Sequence, residues 1–416
     1  MEKRRWIWQI SSEPGECCDH PSNVPGNLAA TFSVTWIGQC CVYMRTLLYC
    51  QHSLGIGHLV RTIHLATAML KLGSVGVIVG GQIPAGYTFD PALKIFPLNP
   101  LSMDVEGRLF DPENKNSVKH LLEERAVHTA IITEWFCADT LIVEMFPFGR
   151  KNFSAEVLAL IQNARQKPGC KVYSSVRDIL VTTRLNQSKH DRLAMARLNQ
   201  FFDAVLVHGD PSFARLEDTF SCLKDLTLPV YYTGYIAPMS GTKLQSIPRK
   251  NRVVVSCGGG RVGKNLSQEA VNAYDLINRE LGLKMTVLAG PFVEEIAYCR
   301  KPGLQILPHI NDLSSYMAES CVSVSQCGYN TSTDVLVSQT PAVFVPFETP
   351  QENEQLRRAQ KFSEANRAVL LRENELRPNK LLNAIVAARK CDISRNVEVN
   401  GIDKSVNLIR ELQCSN

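Results

Sequence analysis

No apolar run in this chain reaches the roughly 20 residues that a helix needs to span a bilayer, so the sequence does not read as an integral membrane protein. Its 14 cysteines contain no paired Cys-x-x-Cys set at metal-binding spacing. Several of them, such as Cys50, Cys257 and Cys321, fall inside apolar strand patterns. That usage fits small core residues in a reducing, cytosolic compartment. No basic run is interleaved with aromatics, and 45 Lys and Arg against 40 Asp and Glu leave a formal charge of only +5. A nucleic-acid groove is therefore not indicated. No Asp-x-Asp pair follows a strand pattern, so no bound divalent ion or other cofactor is called for. A dinucleotide fingerprint is excluded because Val60 stands where its third glycine is needed, and the glycines at 258–260 lack the Gly-Lys-Ser/Thr ending of a P-loop.

What is present is a large α/β chain. With 416 residues, 45% of them hydrophobic, two cores in domains of about 150–200 residues are expected. Residues 1–43 stand apart: Pro14, Pro21 and Pro25, adjacent cysteine pairs at 17–18 and 40–41, and no sustained period. The apolar stretch at 6–10 is cut off by Ser11-Ser12-Glu13-Pro14, too short for a secretory leader core of about 7–15 residues. We read Met44 as the natural start and 1–43 as a disordered extension or an over-long gene call. From Met44 the chain alternates strands (44–50, 75–79, 129–133, 140–143, 171–174, 204–207) with helices (59–72, 155–164, 191–201). A second series begins at Arg252, after a polar stretch at 236–250. The reading gives a Rossmann-like domain at 44–238 and a second Rossmann-like domain with C-terminal helices at 239–416, each with a parallel sheet.

The segment from Cys321 to Gln355 carries the most chemistry. Val322 and Val324 form a short buried strand that stops at Gln326-Cys327-Gly328. Asn330 or Thr331 then caps a helix, whose first-turn N–H groups suit a diphosphate. One turn on, the Asp334 carboxylate can accept hydrogen bonds from both hydroxyls of a ribose. The apolar strand at 341–347 delivers Gln351, Glu354 and Gln355, groups able to read sugar hydroxyls. The same grammar also serves any doubly wound α/β protein.

Two further glycine loops matter. In the first, Gly55 and Gly57 precede His58, which either takes a proton from a hydroxyl or merely caps the helix. His52 and His64 read as structural or exposed. In the second, Gly258, Gly259, Gly260 and Arg261 either meet an anion or form a tight strand-to-helix turn. Glu144, Phe148 and Arg150 sit on a loop after a strand, as an acceptor pocket or as packing. Arg177 and Asp178 end another strand, as a local ion pair or as readers of phosphate and hydroxyl. His208-Gly209-Asp210 is either a site or a turn.

The residues Cys327-Gly328 through Asp334, the Pro-Ala-Val-Phe-Val-Pro-Phe strand, and Glu354-Gln355 followed by Arg358-Ala359 resemble the C-terminal half of a glycosyltransferase family. That family includes the N-acetylglucosaminyltransferase completing the lipid-linked peptidoglycan precursor. The resemblance implies GT-B architecture, two facing Rossmann-like domains, and ribose held at Asp334. It implies a donor sugar facing Glu354-Gln355, where the family has Gln-Gln, and uracil read by the backbone of Ile310. Gly-Ile-Gly-His-Leu-Val-Arg also resembles the water-activating loop of nucleotide-sugar hydrolases of nonulosonic acid synthesis. Residues 44–372 resemble a bacterial branch of these transferases with the same Phe-Pro-Phe-Gly-Arg, Arg-Asp and Val-His-Gly-Asp segments. The function implied is inverting, metal-independent transfer of a hexose or N-acetylhexosamine from a UDP-sugar to a hydroxyl acceptor, with His58 as base. A hydrolase or epimerase, or a non-catalytic nucleotide-sugar binder, is the alternative. The acceptor and any peripheral membrane contact are left open.

Overall fold

The computed structural model describes residues 43–53, 55–104, 107–237, 247–258, 263–290, 300–350, 352–393 and 397–414. The expected extension lies outside them, apart from Tyr43. The apolar runs of the first half become β1 (Met44–Cys50), β2 (Gly73–Val79), β3 (Lys94–Pro97), β6 (Thr140–Glu144), β7 (Lys171–Arg177), β8 (Ala204–His208) and β9 (Val230–Tyr232). They pair parallel in the order β3-β2-β1-β6-β7-β8-β9. Two short strands, β4 (Ser102–Met103) and β5 (Leu109–Phe110), pair antiparallel outside this sheet. Helices α1 (Gly57–Met69), α2 (Val118–Phe136), α3 (Ser154–Ala164) and α4 (Gln187–Phe201) occupy the intervals. Successive β1 residues face opposite clusters: Leu47 and Tyr49 one, Leu48 and Cys50 the other. Both faces are thus covered, which is why the strand reads as a continuous apolar run.

One expected element is different. Residues 129–133 belong to α2, although Thr129, Ile131, Ile132 and Thr133 favour strands locally. The helix wins because Ser117 caps it, accepting from the His120 N–H, and because Leu121, Arg125, Thr129, Thr133 and Phe136 fall on one buried face. A four-residue period over 19 positions outweighs four β-branched residues in a five-residue patch.

The second half forms β10 (Lys250–Ser256), β11 (Lys284–Leu288), β12 (Leu304–Leu307), β13 (Ser320–Ser325), β14 (Ala342–Phe344) and β15 (Ala368–Leu370), ordered β12-β11-β10-β13-β14-β15 and parallel. Helices α5 (Lys264–Leu281), α6 (Leu313–Ala318), α7 (Tyr329–Ser338), α8 (Glu354–Glu364) and α9 (Pro378–Ala388) accompany it. In both sheets the strand order reverses beside the first strand, at β1/β6 and at β10/β13. Ligands of open α/β sheets sit in the crevice at the carboxyl ends of the strands at such a point. The Gln51 to His58 loop, Glu144, Gly258 and the Gln326 to Gly328 turn all lie there.

The last helix, α10 (Gly401–Cys414), joins the first sheet rather than the second. Ile402, Val406 and Ile409 bury their side chains in the cluster that holds Leu48, Ile63 and Leu206, and Gln413 donates to the Asp139 carbonyl. The chain therefore passes between the sheets twice. At the passage Tyr235 N–H donates to Glu398 O (2.9 Å), Gly401 N–H donates to Tyr235 O (3.0 Å), and Ile236 bridges Asn400. A Cβ on Gly401 would meet the Gly234 carbonyl oxygen at 2.3 Å, so a glycine is required there. Among the described residues no helix is long and apolar enough to cross a membrane.

Candidate active site

Glu144 ends β6 with 2% of its surface exposed, and a buried carboxylate needs partners. His58 and Arg61 supply them from the first turns of α1, three residues apart and hence on one helix face. His58 Nδ1 lies 2.5 Å from Glu144 Oε1, and Arg61 Nη2 donates to the same oxygen. The loop after β6 turns through left-handed backbone at Met145 and Arg150 (φ 60° and 62°), which brings Arg150 Nη2 back to Glu144 Oε2 at 3.2 Å. Burial opposes the charge on Glu144, but His58, Arg61 and Arg150 outweigh it and hold the carboxyl well below its usual range.

This carboxylate fixes the imidazole tautomer. Nδ1 faces an acceptor, so it carries the proton, and Nε2 is left with its lone pair. Burial first, then the positive charges of Arg177 and Arg150, lower the His58 pKa well below 6.5 despite Glu144. His58 is neutral at neutral pH. It does not cap α1, since Ile56 occupies the N-cap position without a side-chain bond.

Across the crevice the second sheet presents its own helix starts. Gly328 is the N-cap of α7, with extended backbone (φ −65°, ψ 156°) and open space beside its Cα. Neither Asn330 nor Thr331 is the cap. Asn330 Nδ2 instead donates to the Gly57 carbonyl at 3.0 Å, joining the start of α7 to the His58 loop. The first turn of α7 has no side-chain cap, so its N–H groups are open to an anion. Gly258 has φ 60°, the left-handed conformation that glycine tolerates. Asp334 is half-buried on α7, and burial, with Asp312 nearby, pushes its carboxyl up to about 8. Asp312 lies two residues beyond Ile310, so the expected ribose and base readers share one region. Gly259, Gly260, Arg261 and Gln351 lie outside the described residues.

The two halves are latched by charge. Arg177 and Asp178 at the end of β7 face Glu354 and Arg358, one turn apart on α8. Arg177 Nη1 bonds both Glu354 oxygens (2.9 and 3.0 Å). Arg358 reaches Asp178 (2.7 and 3.0 Å), Glu354 Oε1 (2.7 Å) and the Cys327 carbonyl (2.9 Å). Tyr235 OH donates to Asp178 Oδ2 at 2.8 Å. Asp178 and Arg358 are fully buried, so Asp178 is not an acceptor reader here and the expected local pair with Arg177 gives way to two pairs across the crevice. Burial opposes the charge on Glu354, yet Arg177 and Arg358 hold its carboxyl below the usual range.

Several expected readers are structural. Phe148 is 1% exposed and packs edge-on against Phe220 at 4.9 Å, closed to any acceptor. Gln355 Oε1 accepts from the Phe347 N–H at 3.2 Å and so closes the loop before α8. His208 bonds Ser175 and Thr233 through its two ring nitrogens, and burial, followed by Arg61, lowers its pKa to about 3. His52 is buried with Nε2 3.0 Å from the Gln82 carbonyl oxygen. Arg61 and Arg358 stood in the sequence only within the quoted motifs, with no site role, although His58 plus three and Glu354 plus four on amphipathic helices point to one.

Residues 253–396 match the family described as glycosyltransferase family 28, C-terminal domain. That stretch, about a third of the chain, is similar to the C-terminal domain of that family. The matched stretch contains Gly258, α7, Asp334, Glu354 and Arg358. Relatives include the UDP-N-acetylglucosamine–N-acetylmuramyl-(pentapeptide) pyrophosphoryl-undecaprenol N-acetylglucosamine transferases of Acetivibrio thermocellus and Thermotoga maritima. The first is 24% identical over 52% of this chain and 61% of its own. The second is 25% identical over 46% of this chain and 53% of its own. The chain thus spans only part of the length of these relatives. Among solved structures, MurG of Acinetobacter baumannii superposes over 88% of this chain and 99% of its own, with TM-score 0.52 and 15% identity. A UDP-glucosyltransferase from Polygonum tinctorium covers 89% of this chain and 98% of its own, with TM-score 0.58 and 11% identity. These likenesses, spanning both sheets, show the GT-B fold.

Proposed function

We propose that this protein transfers a sugar from a UDP-sugar to the hydroxyl of an acceptor, with inversion at the anomeric carbon. The observation that carries the reading is His58: neutral, with its tautomer fixed by Glu144, and tied through the Gly57 carbonyl to the open start of α7. Base and diphosphate site thereby face one crevice. The acceptor oxygen bonds to the anomeric carbon as its proton passes to His58 Nε2, and the bond from that carbon to the diphosphate oxygen breaks. The imidazolium formed is stabilised by the Glu144 carboxylate, and the leaving diphosphate by the α7 N-terminus. Positive charge for the leaving group comes from the protein itself, so the proposal needs no metal ion. The named activity of the two bacterial relatives supports UDP as the nucleotide.

A thermal-shift screen of nucleotide sugars tests the donor. A UDP-sugar at 100 times its dissociation constant is expected to add about 2.7 kcal/mol of apparent stability, with GDP- and dTDP-sugars adding less. No shift with any UDP-sugar refutes the reading. UDP release that proceeds equally without acceptor would make the protein a hydrolase.

Asp334 makes a second prediction. Its carboxyl, at about 8 in the free protein, is protonated at pH 7, whereas two ribose hydroxyls donate best to a carboxylate. Binding then expels a proton below pH 8, so uridine affinity is expected to rise with pH up to about 8 and level off above it. Calorimetry in buffers of different ionisation enthalpy reads the proton directly. Asp334→Asn should bind uridine more weakly and without pH dependence. A wild-type affinity flat from pH 6 to 9 removes Asp334 from the ribose site.

A further inference from the structure

His58 has one nitrogen with which to take a proton, and that nitrogen is occupied. Arg177 Nη2 donates to His58 Nε2 at 2.7 Å, and the same guanidinium reaches across to Glu354 through Nη1. A lone pair already accepting from a guanidinium cannot also accept from a substrate hydroxyl. The base is covered by a side chain of its own half, which is tethered to the second half.

The contacts of the cover make it removable. Glu354 keeps Arg358 Nη2 at 2.7 Å when Arg177 leaves, so its charge is not stranded. Arg177 Nε is buried and has no partner among the described residues, which leaves its hydrogen bonding incomplete where it stands. With 14% of its side chain exposed, it borders the crevice. A diphosphate arriving at the start of α7 offers a guanidinium more charge than a carboxylate shared with a second arginine, and in a geometry suited to two parallel bonds.

We propose that Arg177 is a guard on His58, drawn off Nε2 by the diphosphate of an incoming nucleotide sugar, so that the base is uncovered only when a donor is in place. This rests on His58 as the base of the proposed transfer. Arg177 acts through His58 and is a positioning residue. The charged groups facing the imidazole are Glu144 from β6, Arg61 from its own helix, Arg150 from the loop after β6, and Arg177 from β7, itself paired to Glu354 of α8.

The test uses the full chain and nitrogen NMR of the histidine rings. In wild type, UDP is expected to move the His58 Nε2 resonance towards that of an imidazole with no donor on it, while uridine, which lacks the diphosphate, leaves it in place. In Arg177→Met the resonance should start near the uncovered position and UDP should move it little. The kinetic counterpart is the acid limb of the pH profile of kcat/KM for donor. Loss of an adjacent positive charge should raise it by about one pH unit or more, with Arg177→Lys restoring part of the difference. A wild-type Nε2 resonance unmoved by UDP, or an acid limb shared by wild type and Arg177→Met, overturns the guard. The wild-type titration needs no variant to fold. Failure of the base reading is distinct: His58→Gln would then turn over normally whatever Arg177 does.

Discussion

Arg358→Met is expected to cost the folded chain about 3–5 kcal/mol, read as a lowered urea midpoint for the full-length protein. The guanidinium and the Asp178 carboxylate are both fully buried, and Arg358 makes hydrogen bonds to Asp178, Glu354 and the Cys327 carbonyl. Its removal leaves Asp178 with only Tyr235 OH and the Ile179 N–H as described donors, neither of them charged. A lone carboxylate in such a place costs far more than the pair contributes. The double variant Asp178→Asn with Arg358→Met should recover part of the loss, because the uncompensated charge is gone. Arg177→Met, which strands no carboxylate, should lower stability much less. Equal losses for Arg358→Met and Arg177→Met would mean that the two cross-crevice pairs are energetically alike and the burial argument is wrong.

The second large effect is on rate. His58→Asn is expected to lower turnover by about 10²–10⁴-fold, the usual contribution of a positioned base, with UDP affinity unchanged. Asparagine can still bond Glu144 but cannot take a proton at neutral pH. Glu144→Gln should also lower kcat, because the imidazolium would lose its adjacent negative charge. The neutral imidazole is the active form, so activity is lost as pH falls through its pKa. Burial and Arg177 place that acid limb below the ordinary 6.5. UDP release measured with a working acceptor checks both variants. Near-wild-type turnover in His58→Asn would remove proton transfer at this residue from the mechanism.

How much of this was legible depends on sequence distance. Both glycine loops, the strands that feed them and the α7 segment are local, since strand, turn and helix start all lie within about a dozen residues of one another. Local chemistry also put His58 and Asp334 among the candidates. The pairing of Arg177 and Asp178 with Glu354 and Arg358 joins positions 177 and 180 apart, and no periodicity within β7 or α8 announces it. The same holds for Glu144, which reads as part of an acceptor pocket or of loop packing until the fold brings β6 beside the end of β1. Phe148 misled for the converse reason. A hydrophobic residue after a strand end suggests a pocket, but the left-handed turn at Met145 folds this loop back into the core.

The double passage of the chain between the sheets carries a mechanical consequence. A domain hung on one connecting segment can swing and twist like a weight on a cord. Here two segments lie side by side, stitched backbone to backbone from Tyr235 and Ile236 to Glu398, Asn400 and Gly401. They act as two pins of a door, which leave one axis of rotation and suppress twist about the perpendicular ones. A door on two pins returns to its frame in the same alignment each time. Arg177 therefore meets Glu354, and Asp178 meets Arg358, without a search through registers. The absent side chain of Gly401 is what lets the pins stand close enough to share that axis.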